Sequence, residues 1–412
     1  MGVFLRLAWR NLWRHRRRTI ISASAIAFGL VCIIFFHAFI TGFNESYIEN
    51  AVRVFMGHIQ IHHQGFQESM NIDDYIADPQ AVLGIVSQTP HLQAYTTRIK
   101  GYGLTAIGDK SSGVLILGVV PEEEAQATFI EECMVEGKYL SADSIGTIII
   151  GKGLADNLQV KVGDSLIIIT NALDRTTGRG RYTVRGIFRT NYSELDRGAV
   201  FMNIADAQTL FAYDDKVSEI ALLVDDSQNV PQAKRFLIEQ LAQERLTQLE
   251  VLDWTEIAPQ MQQMVEFMEI FLEILLAIII LAAFFGIFNT ILMSILGRMR
   301  EFGIMKAMGT RPSQIFRLII YESSLLGLIA LAVGAGLGYL VTVLANINGL
   351  DLAFFAEGFE AFGAITTIVY AKLTLDGFIF ALVVVITTTV LVAIYPAIKA
   401  ARIKPLEAIR YI

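Results

Sequence analysis

The stretch Ile274–Gly309, ILLAIIILAAFFGIFNTILMSILGRMREFGIMKAMG, decides the fold. Its first part, Ile274–Leu296, holds no charged residue, and a bilayer core takes roughly 20 apolar residues of helix to cross. An amphipathic lead-in from Gln260 precedes it, and the run stops abruptly at Arg298, Arg300, Glu301 and Lys306. Short basic loops stay on the cytoplasmic side of a membrane. One segment therefore predicts both a membrane span and its direction.

Working outward, three more stretches have the length and composition of spans: Ile20–Ile40, about Ile319–Ala345, and Gly377–Ile398. Arg6, Arg10, Arg14, Arg16, Arg17 and Arg18 precede the first. Arg298, Arg300, Lys306, Arg311 and Arg317 separate the second from the third, and Lys399, Arg402, Lys404 and Arg410 follow the fourth. The connection between the third and fourth has Lys372 against Asp351, Glu357, Glu360 and Asp376. The predicted topology has both termini in the cytoplasm and residues 42–266 outside. The first apolar run exceeds the 7–15 residues of a signal-peptide core, and no A-x-A site follows it, so it reads as a retained span.

The composition agrees. The 412 residues are 54% hydrophobic and 18% charged, with mean hydropathy +0.51, against about 25% charged in soluble domains. Disorder and a disulfide-stapled secreted scaffold are excluded. Cys32 and Cys133 build neither a metal site nor a disulfide framework. The net charge of −7 hides two compartments: residues 42–266 carry 17 basic and 31 acidic side chains, while the remainder is net basic. Nothing here calls for a nucleic-acid partner.

The predicted fold class is a membrane protein, α-helical with four transmembrane helices, plus a large α+β extracytoplasmic domain between the first and second spans. The segments are a cytoplasmic interfacial helix (1–18), span one (19–41), the outer domain (42–266), span two with its stalk (267–297), a cytoplasmic coupling segment (298–313), span three (314–345), a short outer loop (346–376), span four (377–398) and a cytoplasmic tail (399–412). In the first, Leu5, Ala8, Trp9, Leu12 and Trp13 fall on one helical face and Arg6, Arg10, Arg14 and Arg17 on the other. That pattern suits a helix lying on the membrane surface or a simple topology anchor.

Within 42–266, Gly57–His62 alternates as a strand, with His58 and His62 on its polar, solvated face. Those two with His63 lack the second cluster that a metal site needs. Further strands are expected at Val114–Val120, Thr147–Ile150, Ser165–Thr170, Arg181–Arg189, Ala199–Met202 and Ser218–Val224. Helices are expected at Pro79–Ser87, Ile204–Phe211 and Asn229–Leu246, the last capped by Asn229. Asn171–Gly180 reads as a loop, and residues of about 110–215 as an inserted subdomain. Gly146–Lys152 nearly matches the phosphate-binding GxxxxGK, but Gly153 stands where Ser or Thr would hold Mg²⁺. Its β-branched interior reads as a strand-to-helix turn.

Several motifs together resemble one family. Gly151–Asp164 is similar to the iGxxLAxxLxvxvGD motif of MacB-type periplasmic core domains. Tyr182–Phe188, Glu194–Asp196 and Ala205–Phe211 resemble the same region of the lipoprotein-releasing (Lol) permeases. Gly297–Gly309 looks like the coupling segment of FtsX-like ABC permeases, and Tyr395–Arg410 like their C-terminal signature. The resemblance implies a MacB-type core outside the membrane and a non-catalytic permease subunit of the bacterial inner membrane, working by mechanotransmission as half of a dimer. It implies a separate ABC ATPase, two copies per complex, which binds ATP and Mg²⁺; this chain itself takes no cofactor and no metal. A second permease, identical or homologous, and a periplasmic carrier or adaptor are the other implied partners.

Arg298, Arg300, Glu301, Phe302, Gly303, Ile304, Met305, Lys306, Met308 and Gly309 are then the ATPase-coupling residues. Phe302, Ile304, Met305 and Met308 would enter a groove on the partner, with Gly309 ending the helix. Phe35, Phe36, Phe39, Phe267 and Phe271 either line an entrance for an amphiphile or are ordinary lipid-facing residues. His37, Glu269, Glu273 and Glu322 are costly in lipid and are expected in structural pairing or solvation. Gly334, Gly336 and Gly338 form a small face for helix packing. The leading functional reading is release of lipoproteins or other lipid-anchored cargo; the short, proline-free Asn171–Gly180 loop departs from the long, proline-containing hook of the carrier-recruiting Lol permease, so the resemblance implies either a non-recruiting subunit or a homodimeric relative that hands cargo over differently. MacB-like efflux of drugs, peptides or other amphiphiles, and FtsX-like control of a cell-wall hydrolase, are the alternatives.

Overall fold

A computed structural model describes residues 2–14, 16–190, 192–351 and 368–402. Glu357, Glu360, Lys404, Arg410 and the side chain of Arg18 lie outside what it describes. The chain forms two compact units: a helical unit from residues 2–46, 266–351 and 368–402, and a β-rich unit from residues 47–265.

Four long helices supply the helical unit: Arg16–Ala51, Pro259–Leu296, Pro312–Asn348 and Leu375–Arg402. Each contains an apolar window fit to cross a membrane. The first two have 36 and 38 residues, and at about 1.5 Å per residue each outreaches a ~30 Å hydrocarbon core. Span three starts at Pro312, whose missing N–H costs nothing in a first turn, and stops at Gly349, which has φ +68°.

Helix contacts are set by small residues. A Cβ at Gly334 would lie 3.0 Å from the Ala27 backbone, and one at Gly338 2.9 Å from the Ile34 side chain. These two glycines seat span three on span one. Gly336 faces the other way, with nothing within 4 Å of its Cβ position. Residues four apart share a helical face and residues two apart do not, so the expected three-glycine face is a two-glycine face. The short N-terminal helix Gly2–Arg14 packs on span three; Ala8 and Leu12 are buried while Leu5, Trp9 and Trp13 are exposed.

Among the described residues the β-rich unit contains ten strands: β1 Ile59–His63, β2 Leu92–Ile107, β3 Lys110–Val119, β4 Met134–Gly137, β5 Thr147–Gly151, β6 Ser165–Asn171, β7 Thr177–Phe188, β8 Ala199–Asn203, β9 Glu219–Val224 and β10 Leu249–Asp253. They are hydrogen-bonded in the order β10-β1-β9-β2-β3-β8-β5-β7-β4, with β6 bridging β2 and β7. The pairs β2–β3, β3–β8, β8–β5, β5–β7, β7–β6 and β6–β2 close a six-strand ring. Alternate residues of the ring strands, Ile116, Ile148, Ile150, Leu166, Ile168, Val184, Val200 and Met202, form its buried core. Strand β2 continues past the ring to pair with β9 over Leu92–Arg98.

Three local expectations change. The hairpin between β6 and β7 is confined to residues 172–176, because Thr177–Gly180 pair with Ile168–Asn171. Asn229 makes no side-chain cap; its amide donates to Asp225 at 2.8 Å, and the helix runs Val230–Gln243. His58 and His62 are buried rather than solvated. Successive residues Ile59, Gln60, Ile61 and His62 of β1 are all buried, so alternation along it separates two covered faces rather than core from water.

His62 adjoins a buried ionic cluster. Arg98, fully buried, donates to Glu124 at 2.7 and 2.8 Å and to Glu219 at 2.9 Å. Lys100 pairs with the other Glu219 oxygen. Burial opposes ionisation of Glu219, but Lys100 and Arg98 hold its carboxyl below the usual range. Two cations thus face two anions, which lets them remain charged without water. Neutral His62 shares a hydrogen bond with Gln60 Oε1 at 3.0 Å, and His58 Nδ1 accepts from Val224 N–H at 3.2 Å.

Two outcomes are expected. Gly334→Val should lower the melting temperature of the detergent-solubilised protein, through overpacking worth about 1–3 kcal/mol, whereas Gly336→Val should leave it nearly unchanged; equal effects would contradict the packing. Burial lowers both histidine pKa values from 6.5 to about 4. Above pH 6.5 both are neutral folded or unfolded. As pH falls from 6.5 toward 4, the unfolded chain takes up protons that the folded unit refuses, removing on the order of 3 kcal/mol per histidine. The variant His58→Gln, His62→Gln should therefore flatten the acid side of the stability–pH curve measured by hydrogen exchange over β1.

Candidate functional site

The basic segment after span two is a helix, Met299–Ala307, held by its own first residues. Arg298 Nη1 donates to both oxygens of Glu322 on span three, at 2.6 and 2.7 Å. Its Nε donates to Glu301 at 2.8 Å, and its guanidinium lies 5.2 Å from the Phe302 ring centre. Glu322 is thus paired across two helices, as structural pairing required. Phe302 is fully buried, and it shares a core with Leu12, Ile295, Met299, Ile315 and Ile319. Phe302 was expected to enter a partner groove; it faces inward, because the helix must bury one side to be held at all.

What remains outward is a stripe. Arg300, Ile304 and Met308 recur every fourth residue and are exposed, Ile304 at 45% and Met308 at 75%. Gly303 is buried, and Met305 and Lys306 are half-buried. Lys306 Nζ donates to the Ala401 carbonyl at 3.0 Å, tying the segment to the end of span four. Gly309, with φ +97°, closes the helix. Thr310 N–H reaches the Met305 carbonyl at 3.0 Å, the six-to-one bond of a Schellman stop.

The aromatic residues expected at an amphiphile entrance fall into separate groups. Phe36 and Phe39 lie 6.1 Å apart, and Phe39 and Phe43 also 6.1 Å, giving a stack along span one. Phe35 packs instead with Ala38, Ala345 and Ala371. Phe267 and Phe271 are exposed one turn apart on span two. His37, Glu269 and Glu273 line one cleft of about 620 Å³ with Thr41, Asn44, Leu276, Ile280 and Phe380. Phe43 was missed in the sequence, although it continues the i, i+3, i+4 spacing of Phe36 and Phe39.

Four helices fit to span a membrane, an anchored basic helix between the second and third, and a large β-rich insertion define an integral membrane protein. The profile of the MacB-like periplasmic core domain matches residues 19–239, and that of the FtsX-like permease C-terminal region matches residues 273–405. The chain belongs to this family of ABC transporter permeases, the Lol and MacB type. It is 27% identical over 405 residues to the lipoprotein-releasing system transmembrane protein LolC of Xylella fastidiosa, covering 95% of this chain and 93% of that protein. It is 25% identical to LolC of Neisseria meningitidis over 408 residues, with 95% and 94% covered. The periplasmic region of MacB from Actinobacillus actinomycetemcomitans superposes with TM-score 0.39 and 13% identity, over 53% of this chain and 97% of that structure.

The anchor makes a direct prediction. Glu322→Gln should destabilise the helical unit by about 3 kcal/mol, since it removes the carboxylate that takes both Nη1 hydrogen bonds of a buried guanidinium and leaves Glu301 alone to balance its charge. The double replacement Arg298→Met, Glu322→Leu should recover most of the loss, because an apolar pair needs no solvation. Thermal unfolding in detergent measures both, and a wild-type melting temperature for Glu322→Gln would show that the pair does not hold the segment.

Proposed function

We propose that this chain is a non-catalytic permease subunit of a bacterial inner-membrane ABC transporter, with both termini in the cytoplasm, that releases lipoproteins or other lipid-anchored cargo. ATP and Mg²⁺ are bound and used by a separate ATPase, two copies per complex, and a second permease, identical or homologous, completes the membrane part. The observation that carries the coupling is the exposed Arg300–Ile304–Met308 stripe on a helix whose opposite side is fixed by Arg298, Glu322 and Phe302. Apolar side chains held rigidly at a surface suit insertion into a groove, with Arg300 setting the register. Motion of the ATPase then reaches three spans directly: span two through the chain itself, span three through Glu322, and span four through Lys306.

The names of the full-length relatives supply the cargo class, and the β-rich unit supports work beyond the membrane. The five-residue hairpin 172–176 is too short to reach far from the ring, which favours a subunit that leaves carrier recruitment to its partner. The decisive experiment purifies the tagged chain from its host with a single cysteine at Met308, after Cys32 and Cys133 are replaced, and identifies its crosslinked and bound partners by mass spectrometry. An ATPase crosslink with co-purified acylated lipoprotein is expected, and Met308→Asp should reduce ATPase recovery about tenfold. An ATPase with an adaptor and no lipoprotein would shift the cargo to an efflux substrate. No ATPase after crosslinking would end the coupling assignment.

A further inference from the structure

Where the short N-terminal helix turns into span one, three arginines converge on a cleft. The elbow is fixed by Thr19 Oγ1 donating to the Leu12 carbonyl at 2.7 Å. Arg14, Arg16 and Arg17 form a basic rim, and Ile21 and Ser22 of span one with Asn289, Thr290, Met293 and Ser294 of span two complete the lining; the volume is about 670 Å³. Among the described residues no carboxylate lines it. Three cations gathered without an acid repel one another, and the arrangement gains most by admitting an anion. Guanidinium forks suit phosphate oxygens in particular, since each can give two parallel hydrogen bonds.

The surroundings select among phosphates. Ile20, Ile21, Phe28 and Met293 are exposed by 57–70%, so the cleft opens along an apolar wall rather than into a polar basin. Trp9 and Trp13 are exposed beside it, in edge contact at 5.9 Å, and Arg16 sits 6.0 Å over Trp13. Tryptophans at the end of a span mark the headgroup level of a bilayer. A soluble phosphate uses only the rim, whereas a phospholipid uses the rim for its headgroup and the wall for its acyl chains. Basic residues at such a boundary attract anionic lipid.

We infer that the Arg14–Arg16–Arg17 cleft is a binding site for the phosphate of an anionic phospholipid, which wedges between the N-terminal elbow and span two. This does not depend on what the transporter carries. The test is native mass spectrometry of the full-length protein in detergent, titrated with phosphatidylglycerol or phosphatidylcholine. One tightly held phosphatidylglycerol is expected, with phosphatidylcholine at least about tenfold weaker. Arg14→Gln, Arg16→Gln, Arg17→Gln together should abolish the difference. Because removing those charges also affects membrane insertion, Asn289→Asp provides an independent arm: it places a carboxylate in the span-two part of the lining, keeps the N-terminal arginines, and should weaken phosphatidylglycerol by about tenfold as well. Arg317→Gln, which removes a basic residue elsewhere in the helical unit, should not change the lipid preference. Equal retention of both lipids, unchanged binding in Asn289→Asp, or displacement of phosphatidylglycerol by millimolar inorganic phosphate would each overturn the site.

Discussion

A guanidinium inside a helical bundle must be neutralised, and the helical unit is organised around meeting that demand. Arg298 stands where an apolar span becomes a basic turn, and it is buried rather than solvated. Its partners, Glu301 on the following helix and Glu322 on span three, fix that helix in both position and rotation. Phe302 then has only one direction to face, and Ile304 and Met308 only the other. Had Arg298 reached solvent, Met299–Ala307 would be a loose linker whose apolar residues had no defined side.

The large features were readable because they rest on length and charge. Spans one to four, their basic flanks and the glycine stop at Gly309 follow from local rules that neighbours do not override. The face of the coupling helix was not readable. Phe302 and Ile304 are both apolar and two residues apart, and only the Arg298–Glu322 pair decides which turns inward. Gly336 failed in the same way, since its spacing from Gly334 looks favourable in a list of small residues but points it away from span one.

In the β-rich unit the difficulty was burial on both sides. Strand β2, with 16 residues, is the longest, yet it went unmarked because Arg98 and Lys100 sit in the middle of it. Charges usually indicate an exposed face; here they answer Glu124 and Glu219 from other elements, which no local window contains. His58 and His62 misled for the mirror-image reason, as polar residues on a strand covered on both faces.

The closed ring has a consequence for how this unit behaves among other chains. A sheet offers strand-for-strand pairing only where an edge is free. The ring strands β3, β8, β5 and β6 each have neighbours on both sides, and the hydrogen-bonded order ends at β10 and β4. Those end strands have five and four residues, too short to template a foreign strand well. A ten-stranded sheet is thereby protected from self-propagating association by its topology.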